Sequence, residues 1–278
     1  MKQYFRSFFY LLSPRGRRFV RRIFFSPLDL YFFLKGKKTY NGIVLPSPGE
    51  VFTGGGDFLE NGLKYKKYFI ELGGLKAKDH VLDIGSGLGR MAIPLTNYLH
   101  KKASYEGFEI VKSAVDDCSK RITNKFPNFS FRHVCIENDL YVKNGACASK
   151  FVFPYDQNNF DFAWASSVFT HLEPDAVINY LKEARRVIRP GGRFLATFFL
   201  MDQESIITSQ KSKYPFKFKI HDAWYMSKIS KSANVAFEEK KILQWANDAG
   251  WKKAKTFHGC WSGRKGATTD FQDIIIFS

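Results

Sequence analysis

The sequence predicts an α/β protein built on a mostly parallel sheet. Three observations carry that expectation. From about residue 60, strand-like apolar runs alternate with segments of helical spacing, the pattern that builds βαβ units. One strand, Val81-Leu82-Asp83-Ile84, runs directly into glycines at alternate positions, Gly85, Gly87 and Gly89. The strand after it closes on an acid, Glu109. A chain of 278 residues accommodates one sizeable α/β domain with an extension. Its 45% apolar content is ordinary for a protein with a real core.

In chain order, Asn61–Leu75 reads as a helix and His80–Ile84 as a buried strand. The glycine loop follows, then a helix from about Arg90. Ser104–Ile110 is a strand, Val111–Phe126 a helix and Phe129–Ile136 a strand. Phe160–Ser166 is a fourth strand, and Asp175–Ile188 a helix with apolar residues at helical spacing. Arg189-Pro190-Gly191-Gly192 should end that helix abruptly, and Arg193–Leu200 is the fifth strand. Residues 201–235 show no clean period and read as an insertion. Phe237–Ala249 is helical, and Lys252–His258 and Asp273–Phe277 close the chain as a hairpin-like pair.

Residues 1–45 form a separate basic extension ahead of a domain at 46–278, ending in the turn-rich Leu45-Pro46-Ser47-Pro48-Gly49. Residues 1–38 hold ten basic side chains against one acid, Asp29, and supply +9 of the net +17. A helix near 17–24 would set Phe19, Val20, Ile23 and Phe24 opposite Arg17, Arg18, Arg21 and Arg22, with Phe25 among the arginines. Such a helix would lie on an anionic membrane surface. The plainer alternative packs its apolar stripe on the protein's own sheet edge and leaves the arginines solvated. No stretch approaches the roughly 20 apolar residues of a spanning helix, and Phe8–Leu12 is too short for a signal peptide. Cys118, Cys135, Cys147 and Cys260 form no CxxC pair and no zinc-like spacing with histidine. Reduced thiols, no metal and a cytoplasmic location, peripheral to the inner membrane face, are expected.

Glycines after Ile84 let a backbone approach a ligand closely and take φ values that a Cβ forbids. A following helix would turn free N–H groups toward that ligand. Glu109 stands 20 residues beyond Gly89, the spacing of an acid that accepts ribose hydroxyls. Loop and acid together indicate an adenosine-containing cofactor, which a dehydrogenase would share. A tight turn with no ligand is the bland alternative. Two details separate these readings: the spacing is Gly-x-Gly-x-Gly, and Asp83 precedes the first glycine by two residues.

In that form the segment resembles motif I of the class I S-adenosylmethionine-dependent methyltransferases. Tyr105–Ile110 looks like motif II, and Phe160–Leu172 like motif IV with its following turn. Arg186-Val187-Ile188-Arg189-Pro190-Gly191-Gly192 is similar to the family's "RVLKPGG" segment. The resemblance implies a Rossmann-like, seven-stranded, mostly parallel sheet with a reversed last strand and helices on both faces. It implies S-adenosylmethionine at Asp83, Gly85, Ser86, Gly87, Gly89, Glu109, Ile110, Asn138 and Ser166. At motif III the chain departs from the commoner pattern, with Cys135-Ile136-Glu137-Asn138-Asp139. Whether Asn138 or Asp139 reaches the adenine stays open.

On the acceptor side, His171 follows the fourth strand and is either a general base or a residue that closes the turn. Thr170 beside it, and Trp261 and Arg264 in the loop Gly259–Arg264, are candidates for substrate contact; a packed core indole is the alternative for Trp261. Thr53–Phe58 reads equally as a lid or as a linker. "SVFTHL" and "GCWSGR" look like segments of uncharacterised bacterial methyltransferases of surface-polysaccharide synthesis. A hydroxyl of a glycan or other small molecule is therefore the expected acceptor, by analogy only. RNA is the rival acceptor, prompted by the charge. Against it, the basic excess is concentrated in residues 1–38 and no RNA-binding signature appears. A non-catalytic binding protein is the third reading, opposed by the intact glycines and Glu109.

Overall fold

The computed structural model describes residues 12–52, 54–142, 144–212, 214–228 and 230–278. Residues 1–11 of the basic extension, Thr53 of the expected lid and the side chains of Arg15 and Arg18 lie outside the described residues. The chain divides into two compact units. One runs to Cys135 and includes Tyr141 and Val142; the other holds Ile136–Leu140 and the chain from Asn144 onward.

The first unit opens with helix α1, Pro14–Leu34. Ser13 caps it by accepting the Gly16 N–H at 3.1 Å, and Pro14 occupies the first turn, where its missing N–H costs nothing. The helix is much longer than the expected 17–24. Phe19, Ile23 and Phe24 point outward, while Arg17, Arg21 and Phe25 are half-buried. The apolar stripe is therefore not packed on the protein itself: Arg17 and Arg21 lie on the half-buried side, and Arg22 is exposed. A ribbon of β1 (Thr39–Tyr40) and β2 (Ile43–Val44) follows. Helix α2 begins at Phe58 rather than Asn61, because Asp57 accepts the Leu59 and Glu60 N–H groups at 2.9 and 3.0 Å, and runs to Glu71.

Strands β3 (Val81–Ile84), β4 (Tyr105–Glu109) and β5 (Phe129–His133) are parallel neighbours. The helix expected after the glycine loop shrinks to one turn, α3 (Ala92–Leu95). One helical bond reaches back past Arg90, from the Ile93 N–H to the Gly89 carbonyl at 3.0 Å. Helix α4 (Lys112–Cys118) passes into a wider π turn, Ser119–Thr123.

In the second unit β6 (Phe160–Ala165) and β7 (Ile188–Phe198) are parallel, joined by α5 (Pro174–Val187). Buried Ala176, Val177, Tyr180, Leu181, Ala184 and Val187 form the apolar stripe of α5. Arg189–Gly192 does not delay the strand as expected. Phe160 pairs with Ile188 and Phe162 with Arg193, so the glycine turn is taken up as a bulge inside β7. Gly191 adopts φ +80° there.

Beyond β7 the aperiodic stretch has structure of its own: β8 (Leu200–Met201), α6 (Gln203–Thr208), β9 (Phe218–Ile220), β10 (Ala223–Tyr225) and β11 (Val235–Glu238). These strands form a small sheet in the order β8-β11-β10-β9. Helix α7 (Glu239–Asp248), β12 (Ala254–Phe257) and β13 (Asp273–Phe277) complete the chain. The central sheet has seven strands in the order β12-β13-β7-β6-β3-β4-β5, with β13 antiparallel to both neighbours. The reversed last strand matches the sequence reading.

Candidate functional site

The loop after β3 is built from its glycines. Gly85, Gly87 and Gly89 adopt φ of +79°, +52° and +76°, values that L side chains rarely reach. A Cβ on Gly89 would also stand 2.6 Å from Ile122 Cδ1 and 3.2 Å from Cys118 Sγ. The Gly85 and Ser86 N–H groups both bond the Phe108 carbonyl, at 3.0 and 3.1 Å, which ties the loop to the end of β4. Gly107 supplies the clearance: a Cβ there would meet Ser86 Cβ at 2.9 Å.

Glu109 organises this turn. Its Oε2 accepts the Gly87 N–H and its Oε1 the Val111 N–H, both at 2.9 Å. Burial raises its pKa, and the N–H groups of Val111, Gly87 and Ile110, in that order, oppose the rise. A carboxylate offers roughly four acceptor positions, so these N–H groups leave Glu109 capacity for a further donor. Ser86 Oγ is buried without a hydrogen-bond partner, a cost usually explained by a ligand or water. Asp83, buried at the end of β3, accepts the Tyr105 hydroxyl on its Oδ2 at 2.6 Å. Cys118 packs beneath the loop, its thiol 3.6 Å from the Gly87 carbonyl, and burial pushes that thiol well above the usual range.

Two features near this loop are invisible to motif reading. Arg90 donates to the Gly55 carbonyl at 3.3 Å, lies over the Phe58 ring at 5.1 Å and has its pKa lowered by burial. It therefore holds Gly55, within the Thr53–Phe58 segment read as a lid or a linker, against the start of α2. An apolar cluster of Val51, Leu88, Val111 and Ala114, with Phe52, Ile110 and Tyr141 packed on it, includes residues of both motifs. Its far-sequence members, Val51 and Tyr141, carry no sequence signal.

In the second unit the turn after β6 gathers another set. Ser166 is half-buried, and Ser167 takes φ +58°. Ser167 N–H donates to Thr197 Oγ1 at 2.7 Å, and its hydroxyl to Gln272 Oε1 at 2.9 Å. Those bonds hold a conformation uncommon for a residue other than glycine. Thr170 is fully buried and its Oγ1 has no hydrogen-bond partner. His171 Nδ1 lies 2.7 Å from the Ser232 carbonyl. A carbonyl only accepts, so Nδ1 carries the proton and Nε2 is the basic nitrogen of the neutral ring. Burial lowers the His171 pKa, against smaller raising effects of Ser232 and Asp139.

Asn138 and Asp139 serve this same turn. Asn138 donates to the His171 carbonyl at 3.3 Å and accepts the Leu140 N–H at 3.0 Å. Asp139 Oδ2 accepts from the Ser230 hydroxyl at 3.0 Å and the Ser232 N–H at 3.4 Å.

Comparison with known proteins fits this geometry. A family model described as "Methyltransferase domain" matches residues 81–192, from the first residue of β3 to the glycine bulge of β7. The ubiquinone/menaquinone biosynthesis C-methyltransferase UbiE of Pseudomonas fluorescens is 25% identical over 219 residues, covering 74% of this chain and 78% of that protein. Its counterpart in Francisella philomiragia is 25% identical over 195 residues, covering 67% and 72%. In fold, the chain is similar to the PH0226 protein of Pyrococcus horikoshii, with a TM-score of 0.54 at 13% identity over 83% of this chain and 95% of that one. The glycopeptide N-methyltransferase MtfA gives 0.51 at 12% identity, over 78% and 90%. These likenesses support a class I S-adenosylmethionine-dependent methyltransferase, with the methyltransferase domain itself matched over residues 81–192.

Two acceptor-side expectations for this methyltransferase are corrected by the structure. Trp261 is 2% exposed, packs against Phe199 and Phe216, and donates its indole N–H to Asp273 Oδ2 at 2.6 Å. It is a core residue with no open ring face. Arg264 is buried with its Nη2 2.9 Å from Asp202 and its Nη1 3.7 Å from Glu204, so its charge is matched within the protein. Asp202, Glu239 and His258 bring possible metal-ligand atoms within 4.8 Å of one another, but the Arg264 guanidinium already serves the Asp202 carboxylate. Beside buried Asp273, at 3.7 Å, the His258 imidazole has its pKa raised.

Proposed function

We propose that this methyltransferase moves a methyl group to a hydroxyl of a glycan or other small molecule, with His171 as general base. The cofactor supplies an electrophilic methyl on its sulfonium. One observation carries the reading: His171 gives Nδ1–H to the Ser232 carbonyl, so the basic Nε2 is set by the fold, and burial keeps the ring neutral. The acceptor hydroxyl donates to Nε2. As its oxygen forms the new bond to carbon and the sulfur–carbon bond breaks, the proton passes to Nε2 and later to solvent. Proton removal contributes about 10²-fold or more, and alignment of the two partners supplies much of the remainder.

On this reading Gly85–Gly89 cradle the cofactor, Glu109 accepts ribose hydroxyls with its remaining lone pairs, and Ser86 Oγ finds its partner there. Asp83 acts through Tyr105, and Ile110 belongs to the apolar wall with Leu88 and Val51. Asn138 holds the turn that carries His171, and Thr170 and Ser166 contribute polar groups on that turn. The fit to the cofactor rests on the positive φ of the glycines, the spare acceptor capacity of Glu109 and the unpartnered Ser86 hydroxyl. An anionic membrane surface as partner of residues 1–38 belongs with the reading, since it would bring the enzyme to a membrane-held acceptor.

A carbon acceptor is the second reading, favoured by the C-methyltransferase activity of the UbiE relatives. Purified enzyme with isotope-labelled methyl donor, offered glycan, lipid-linked glycan, quinone-precursor and RNA fractions, distinguishes these. Label in a methyl ether of the glycan fractions is the expected result. Label only in carbon-bound methyl or in RNA would replace the proposal.

A further inference from the structure

Helix α1 turns its apolar side away from the protein. Phe19, Ile23, Phe24, Leu30, Phe33 and Leu34 are all exposed, Phe24 and Leu34 by about three quarters. At 100° per residue these six fall within one half of the helix circumference, and the helix is about 30 Å long. Ser26 is the polar interruption inside that arc. The opposite side is tied down: Asp29 Oδ1 accepts the Gly49 N–H at 2.9 Å, and Phe25 and Phe32 are half-buried beside it. A contiguous apolar face of this extent is unusual on a monomer and marks an interaction surface.

The charge around the face selects the partner. Arg22 lies exposed at its edge, and Lys35 and Lys37 are exposed just beyond its C-terminal end, while Lys38 pairs with Asp57 at 3.8 Å. The one acid of residues 1–38, Asp29, is engaged with Gly49. A second copy of the chain would bring two segments of +9 together. An anionic bilayer matches both features, with apolar side chains at the acyl boundary and cations among the headgroups. No helix among the described residues is long and apolar enough to cross a membrane, so the fitting geometry is a helix lying flat in the interface.

We infer that the Phe19–Leu34 face of α1 docks the enzyme on an anionic membrane surface by inserting its outward aromatic and aliphatic side chains. The inference deepens the proposed function by naming where the acceptor is met, and it rests on the exposure of the helix and the charge around it, not on the chemistry of His171.

Co-sedimentation of the full chain with phosphatidylglycerol-rich vesicles and with pure phosphatidylcholine vesicles tests it. Binding to the first, weakened by salt and much lower on the second, is expected. A Phe19→Ser, Ile23→Ser, Phe24→Ser triple variant should lose at least about tenfold in binding, since each side chain removes apolar burial. All three positions are exposed, and S-adenosylmethionine binding, measured in parallel, should stay intact. A Phe24→Trp variant should show blue-shifted emission that brominated lipid quenches. An intact protein that leaves both vesicle types in suspension would overturn the inference, as would an unquenched Phe24→Trp variant. A lipid-free dimer that the triple variant dissolves would assign the face to a second copy instead. Loss of methyl transfer with vesicle binding retained would count against the chemistry and leave the docking surface standing.

Discussion

Glu109 and Asp273 are both buried carboxylates that organise a glycine-bearing loop, and they end in opposite conditions. Glu109 accepts two backbone N–H groups, from Gly87 and Val111. Asp273 accepts three donors: the Leu200 N–H at 2.7 Å, the Gly259 N–H at 2.8 Å and the Trp261 indole N–H at 2.6 Å. Near Glu109 lies a buried hydroxyl without a partner, Ser86. Near Asp273, Trp261 and Arg264 bond within the protein, and there too a buried hydroxyl, that of Ser262, has no partner. What separates the loops is how far the lone pairs of each acid are filled by hydrogen bonds from the protein. A glycine-bearing loop beside an acid is therefore a weak sign of a ligand until the acid's lone pairs have been accounted for.

The strongest way to break this comparison is to remove each carboxylate. Asp273→Ala leaves three buried donors without an acceptor, and at roughly 1–3 kcal/mol each it should destabilise the protein by at least about 3 kcal/mol in denaturant unfolding. Cofactor affinity of the folded fraction should be unchanged. Glu109→Ala should instead lower S-adenosylmethionine affinity about 10²-fold by calorimetry, the effect of losing charge-assisted hydrogen bonds to the ribose. If both substitutions act alike, on stability only, Glu109 is as structural as Asp273. Gly87→Val sharpens the same point: a β-branched residue at φ +52° should abolish cofactor binding while the melting profile of Asp273-dependent contacts persists.

His171→Ala should cost about 10²-fold in turnover with cofactor affinity retained. The His171 pKa is lowered, so the ring is neutral at working pH and protonates only below the ordinary value of about 6.5. The acid limb of the rate profile should accordingly lie below that value. A limb at or above it, or a rate within a few-fold of wild type, would leave His171 a structural residue. The same shift has a stability sign: the fold loses the contribution of neutral His171 as pH falls.

The smallest effects belong to the second loop. Trp261→Phe keeps the packed ring and removes one hydrogen bond from Asp273, so it should cost about 1–2 kcal/mol and leave acceptor KM unchanged. A large rise in KM would restore Trp261 as a substrate contact. For His258 the pKa is raised by Asp273, so its stabilisation is complete below the ordinary histidine value and fades as pH rises through the raised one. The melting difference between wild type and His258→Asn should therefore shrink with increasing pH.

Local sequence determined the strand–glycine–acid unit, because Gly85, Gly87 and Gly89 need positive φ, and the position of Glu109 one strand later follows from the βα period. It also determined the alternation from β3 to β7 and the reversed closing strand, since periods of 2 and 3.6 are written into neighbouring residues. The direction in which α1 faces was not legible, because an amphipathic pattern specifies two faces and not which one meets the protein. Nor was the burial of Trp261 and Arg264. Their fate depended on partners 12 residues away or more, Asp273 and Asp202, and on packing against Phe199 and Phe216. Likewise the tautomer of His171 is set by Ser232, 61 residues along the chain. Such pairings are decided by which elements the folded chain brings side by side, and only the tertiary structure carries that information.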